Sequence, residues 1–89
     1  MLPSYPNPFN PSTRLEFQLP ENSHVSLIIY DLLGQTVATL VNEYRSAGYH
    51  SATWNAVDAS TGMYIARLSV TDDLGQVKFS KANKLLLTK

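Results

Sequence analysis

Apolar and polar side chains alternate through most of this chain with the two-residue period of half-buried β-strands. Leu15, Phe17 and Leu19 interleave with Arg14, Glu16 and Gln18. Pro20, Glu21, Asn22 and Ser23 break that strand, and a second follows over residues 24–32, with Val25, Leu27 and Ile29 facing one way. Ile28 and Tyr30 are apolar on the opposite face, which predicts that this face is partly covered too. Asp31-Leu32-Leu33-Gly34-Gln35 reads as a turn, because an aspartate can accept hydrogen bonds from backbone beyond it and glycine supplies a positive φ. A third strand is predicted over 35–41, forming a hairpin with the second. Val37 and Leu40 cannot share a face under strict alternation, so a bulge or an early strand end is expected there.

Residues 42–48 read as a connection closed by Ala47-Gly48. The fourth strand, 49–55, places Ala52 and Trp54 on one side, and this single tryptophan is the largest core anchor available. A polar loop over 57–62 leads into a fifth strand, 63–71. Its Tyr64, Ala66, Leu68 and Val70 form one face, with Met63, Ile65, Arg67 and Ser69 opposite. Asp72-Asp73-Leu74-Gly75 is a second hairpin turn. Residues 76–88 return as one long strand or two shorter ones, with Val77, Phe79, Leu85 and Leu87 on one parity. No segment sustains a helical period; residues 32–40 come nearest, but Gly34 and the β-branched residues favour strand. Strands at this spacing with turn signals between them predict an all-β fold, an antiparallel β-sandwich of about seven strands in two sheets.

The first residues break the pattern. Tyr5-Pro6-Asn7-Pro8-Phe9-Asn10-Pro11 packs three prolines into six residues. Each fixes φ, lacks an N–H and pushes the residue before it into extended geometry, so neither a helix nor a central strand can form. An ordered, non-repetitive lead-in is expected over residues 1–13, with Asn7 and Asn10 in turns, Phe9 plugging the end of the sandwich, and the prolines shielding its first edge from stray pairing. Residues 14–89 then make a single sandwich. Met1 and Leu2, directly before the proline motif, read as the excised start of a longer precursor.

Composition narrows the class. With 89 residues, 44% hydrophobic and 16% charged, the chain describes one small globular domain with a lightly charged surface, not a disordered tail. Seven basic and seven acidic residues cancel, so no long-range field recruits nucleic acid or an anionic membrane. Without cysteine there is neither a disulfide framework nor a thiolate metal site. No apolar run approaches the length of a transmembrane helix, and no basic-then-apolar leader opens the chain.

Candidate chemistry is thin. A metal site would need His24 and His50 beside carboxylates such as Asp31 or Asp58, and surface and rim histidines explain both more simply. No nucleophile elbow or glycine-rich oxyanion loop accompanies the serines and histidines, so no catalytic residue and no cofactor is expected. Asp58, Asp72 and Asp73 do not have the spacing of a calcium loop and read as turn formers. An aromatic platform for sugar rings would need several rings on one exposed face. Trp54 and Tyr64 fall on buried parities, which leaves Tyr44 and Tyr49 as a sugar-binding alternative. Asn10-Pro11-Ser12 is excluded as a glycosylation acceptor by its central proline.

The order of these pieces resembles the C-terminal sorting domains of the bacterial type IX secretion system, and is similar to the immunoglobulin-like domain of flagellar hook-capping proteins. The resemblance is carried by Tyr5 to Thr13, by Tyr30-Asp31-Leu32-Leu33-Gly34-Gln35 followed by Val37 to Val41, and by Ala47, Gly48, Tyr49, His50 and Trp54. Gly62, Tyr64, Arg67 and Leu68 and the basic, apolar end from Lys84 to Lys89 complete it. Ala66 departs from it, standing where an aromatic is common, and the loop between Trp54 and Gly62 is short. The resemblance implies an immunoglobulin-like sandwich without enzymatic activity, covalently linked to an N-terminal cargo domain. It implies export through the periplasm and the outer-membrane translocon to secretion or the cell surface, with sorting and attachment machinery as further partners. It also implies recognition through Lys84, Leu85, Leu86, Leu87, Thr88 and Lys89, with Asp72, Asp73 and Gly75 of the second hairpin beside them. Two alternatives stay open: a carbohydrate- or surface-binding accessory of a secreted hydrolase, and a structural spacer or assembly domain.

Overall fold

Six strands account for the alternation: β1 (Ser12–Leu19), β2 (Ser23–Tyr30), β3 (Thr36–Arg45), β4 (Gly48–Asn55), β5 (Gly62–Thr71) and β6 (Val77–Leu87). This computed structural model describes residues 1–2, 4–6 and 11–88. β1 and β4 form one antiparallel sheet; the other runs β3-β2-β5-β6, with every neighbour antiparallel. The core lies between the sheets. Leu15, Phe17, Leu19 and Trp54 face Val25, Leu27, Ile29, Tyr64, Ala66, Leu68, Val70, Leu85 and Leu87, all buried.

About seven strands were expected, and six are found among the described residues. The difference lies in β6, which runs unbroken from Val77 to Leu87 where two shorter strands would have made seven. The lead-in meets β1 at an isolated bridge. Tyr5 and Arg14 exchange backbone bonds of 3.0 and 2.7 Å, and the Leu2 amide donates to the Glu16 carbonyl at 2.9 Å. Pro6 has no amide to continue the pairing; its carbonyl instead accepts from the buried Thr13 hydroxyl at 2.7 Å. Met1 packs against the core, and the Asn83 side chain donates to the Leu2 carbonyl at 2.9 Å, so the first residues tie β1 to β6 across the open side of the sandwich. The expectations for Asn7, Pro8, Phe9 and Asn10 lie outside the described residues.

Two boundaries differ from the sequence reading. β3 continues to Arg45, and the connection expected over 42–48 shrinks to Ser46 and Ala47. The end of β3 is polar because it is an edge strand paired on one side with Ser23 and His24 of β2, and alternation reports burial rather than pairing. Asn22 closes the connection by accepting the Ala47 amide at 2.9 Å. In β3 the register with β2 slips twice, passing over Leu40 and then Val37, the two residues whose spacing implied a bulge. In β6 a slip between the partners Val70 and Thr71 passes over Lys78. That slip turns Val77 onto the outer face, 63% exposed, whereas Phe79 stays on the inner one.

Candidate functional site

β6 holds most of the residues to which the resemblance assigned recognition, and its construction decides what it can present. It is the last strand of the four-stranded sheet, hydrogen-bonded to β5 along one side. Its inner face alternates Phe79, Lys81, Asn83, Leu85 and Leu87, opposite Val70, Leu68, Ala66, Tyr64 and Gly62. Leu85 and Leu87 are completely buried, whereas Leu86 is half-buried and Lys84 exposed on the outer face. Leu85 and Leu87 are therefore anchors and not contact side chains. The side chains that meet solvent here are those of Lys84 and Thr88 and, in part, Leu86. Lys89 lies outside the described residues.

The hairpin at residues 72–75 starts β6 but does not lie beside 84–87. Thr71 pairs with Val77 and Gly62 with Leu87, so the two candidate elements occupy opposite ends of the strand, with about 23 Å between Val77 and Lys84 at the usual rise per residue. Asp72 is a turn former: its Oδ1 accepts the amides of Leu74 and Gln76, at 2.9 and 3.0 Å. Gly75 sits at φ 79°, where a side chain is strained. Asp73 is exposed.

The turn that does share an end with residues 84–87 is the one at 31–35. Tyr30 pairs with Ile65, and Ile65 with Lys84, all on the outer face of the sheet. There Tyr30, Asp31, Leu32, Gly34, Ile65 and Arg67 line an open depression of 320 Å³. The apolar outer parity of Ile28 and Tyr30 signalled a partly covered face, but no sequence pattern indicated that it would run on to Lys84 and Leu86. A second cleft of 420 Å³ opens where β3 and β4 splay apart, lined by Val37, Ala38, Leu40, Trp54, Asn55, Ala56, Asp58 and Ala59.

The remaining candidates are dispersed. Tyr44 pairs with His24 on the outer face of the four-stranded sheet, and Tyr49 with Gln18 on the outer face of the two-stranded sheet, so the two tyrosines point away from each other and share no platform. Trp54 and Tyr64 meet edge to face in the core, centroids 5.1 Å apart, and the Tyr64 hydroxyl donates to the Ser60 carbonyl to pin the loop before β5. His24 lies on an outer face, whereas the His50 ring stacks on Phe17 between the sheets. Among the described residues no three His, Asp or Glu side chains gather as a metal site.

Residues 4–82 match the family of secretion system C-terminal sorting domains. The chain belongs to that family. No curated protein and no solved structure matches it. Type IX sorting domains mark proteins for secretion or export to the cell surface, joined to an N-terminal cargo and handled by the type IX machinery. The family is one of targeting rather than catalytic domains. In this sorting domain the matched span ends inside β6, so Lys84, Leu85, Leu86 and Leu87 lie just beyond it.

Proposed function

We propose that this sorting domain delivers its cargo to the outer-membrane type IX translocon through recognition of its terminal strand, β6. The observation that carries this reading is the position of β6 at the sheet edge, held in place by two completely buried leucines, Leu85 and Leu87. A strand locked into the core presents its remaining side chains to a partner without an ordering cost. Lys84, Leu86, Thr88 and Lys89 then contribute the side-chain contacts. Asp72, Asp73 and Gly75 form a separate contact, reached only by a partner that follows β6 along its whole length.

The sheet order also supports the immunoglobulin-like relation. So does Tyr64, whose hydroxyl reaches back to the backbone four residues upstream near the start of its strand, a device shared by immunoglobulin sandwiches. After translocation the sorting and attachment machinery releases the cargo or fixes it to the surface.

Removing residues 84–89 is a poor test, because it deletes two core leucines and unfolds the domain by itself. Substituting Leu86→Glu together with Thr88→Pro in the full precursor alters the margin and leaves the buried anchors alone. Cargo is expected to accumulate in the periplasm while the melting temperature of the isolated chain falls by only a few degrees. Normal surface delivery of a precursor carrying both changes sinks the reading.

A further inference from the structure

On the outer face of the four-stranded sheet one guanidinium stands without an ion pair. Two of the chain's three arginines face glutamates, Arg45 with Glu43 at 3.1 Å and Arg14 with Glu16 at 3.4 Å. Arg67 has no such partner among the described residues, because the register surrounds it with uncharged side chains. Ile28 lies opposite it on β2, Ala82 opposite it on β6, and Ile65 and Ser69 two positions away on β5. It is exposed, and it lines the 320 Å³ depression together with Tyr30, Leu32 and Ile65. Asp31 is the one carboxylate lining that depression, and its Oδ1 already accepts the Leu33 and Gln35 amides. Asp31 lies three residues beyond Ile28, the partner of Arg67, which is about 10 Å along the strand. The row of Tyr30 and Ile65 therefore separates a cationic end from an anionic one. Leu32, 68% exposed, gives the turn end an apolar wall.

We propose that this depression binds a protein segment carrying a carboxylate next to a bulky aliphatic side chain. The carboxylate sits on the Arg67 guanidinium, and the aliphatic group lies over Tyr30 and Ile65, beside Leu32. The site goes beyond the recognition of β6 and does not depend on it. Magnitudes select this ligand. An exposed ion pair changes affinity by about fivefold at most, too little to hold a free carboxylate or phosphate. Burying an aliphatic side chain contributes roughly ten- to hundredfold, so the apolar row supplies affinity and Arg67 supplies selectivity. Arginine's planar fork matches a carboxylate with two parallel hydrogen bonds. Tyrosine and arginine are also the residue types that dominate binding where proteins meet. An anionic membrane fits less well, because it crowds negative charge against Asp31 while the chain as a whole carries no net charge to offset it.

The test titrates the nitrogen-labelled 89-residue chain with capped heptapeptides of serine and glycine, followed by amide NMR shifts. Their central pair is leucine-glutamate, leucine-glutamine, leucine-lysine or serine-glutamate. Sedimentation with vesicles containing one-third phosphatidylglycerol runs beside it. The leucine-glutamate peptide is expected to shift the amides of residues 30–34 and 65–67. It should bind at least about threefold more tightly than the glutamine or lysine peptide, the scale of an exposed pair. The serine-glutamate peptide should not saturate. Arg67→Gln is expected to erase the preference for glutamate while the melting temperature stays essentially unchanged, since the side chain is exposed. Equal binding of the glutamate and glutamine peptides overturns the proposal, as does a glutamate preference that survives Arg67→Gln. So do shifts that map to another face, saturation by serine-glutamate, tighter binding to vesicles than to peptide, or no saturable binding by any peptide.

Discussion

Asp31 and Asp72 do the same work at opposite ends of the four-stranded sheet. Each carboxylate, through one Oδ1, accepts two amides of its own turn: Leu33 and Gln35 at 2.9 Å for Asp31, Leu74 and Gln76 at 2.9 and 3.0 Å for Asp72. The backbone bonds match as well, from Gly34 to Asp31 at 3.1 Å and from Gly75 to Asp72 at 3.0 Å. The shared sequence Asp-x-Leu-Gly-Gln is thus one hairpin solution used twice. Asp31→Ala and Asp72→Ala are each expected to cost about 1 kcal/mol, less than the roughly 1.5–3 kcal/mol typical of hydrogen bonds to a charged acceptor, because both turns meet solvent. The costs should add within about 0.5 kcal/mol, since the sites are remote. Urea unfolding of the single and double variants checks both statements, and Asp→Asn should recover most of each loss.

The two glycines of these turns sit at φ 83° and 79°, with nothing within 4 Å of where a Cβ would stand. Any penalty is therefore conformational and not steric. Gly34→Ala and Gly75→Ala are expected to destabilise by about 1–2 kcal/mol each, the cost of a left-handed L-residue. Asparagine at either position should cost less. Equal losses for alanine and asparagine would contradict the conformational account.

Side-chain parity in β6 makes a sharper prediction. Leu85→Ala and Leu87→Ala empty fully buried sites and should each cost about 2–5 kcal/mol, a large part of the roughly 5–10 kcal/mol available to a domain of this size. Leu86→Ala, on the outer face, should cost less than about 1 kcal/mol. Melting temperatures of the three variants test the order; a Leu86 variant as damaged as its neighbours would mean the register is wrong.

His50 lies flat on Phe17, centroids 5.5 Å apart at 24°, with both ring nitrogens engaged. Nδ1 faces Arg45 Nη1 at 3.3 Å, and Nε2 faces the Ser46 carbonyl at 2.7 Å. A guanidinium can only donate, so Nδ1 accepts and the proton sits on Nε2. Nitrogen NMR of the neutral imidazole should report the Nε2–H tautomer. His50→Phe should keep the stack yet loosen the turn at Ser46 and Ala47, seen as faster amide exchange there.

Much of the fold could be read directly from the chain. Alternation located β1, β2, β4 and β5, because each of them turns one face to the core. The Asp-x-Leu-Gly turns showed themselves through backbone demands that few residue types satisfy. Even the irregularity in β3 was visible, since Val37 and Leu40 cannot both obey a period of two. The polar end of β3 was not, because a paired edge strand leaves no burial signal. Val77 was misplaced for a related reason: one residue passed over at Lys78 flips the parity of everything before it.

The candidate site was less legible. The sequence named the terminal residues but could not tell anchors from contacts, nor show that residues 72–75 and 84–87 sit at opposite ends of one strand. Tyr44 and Tyr49, five positions apart, looked like neighbours and instead face away from each other, because the chain crosses between sheets at Ser46 and Ala47.

By itself the sequence determined the class of fold, the hairpins, the family and the concentration of lysine at the end of the chain, since these follow from local patterning and backbone chemistry. Only the tertiary structure decided that this basic segment is an edge strand with Leu85 and Leu87 locked inward and Lys81 and Lys84 on opposite faces. Strand order and register are long-range pairings, fixed by which apolar faces meet across the core, and no local pattern carries that information.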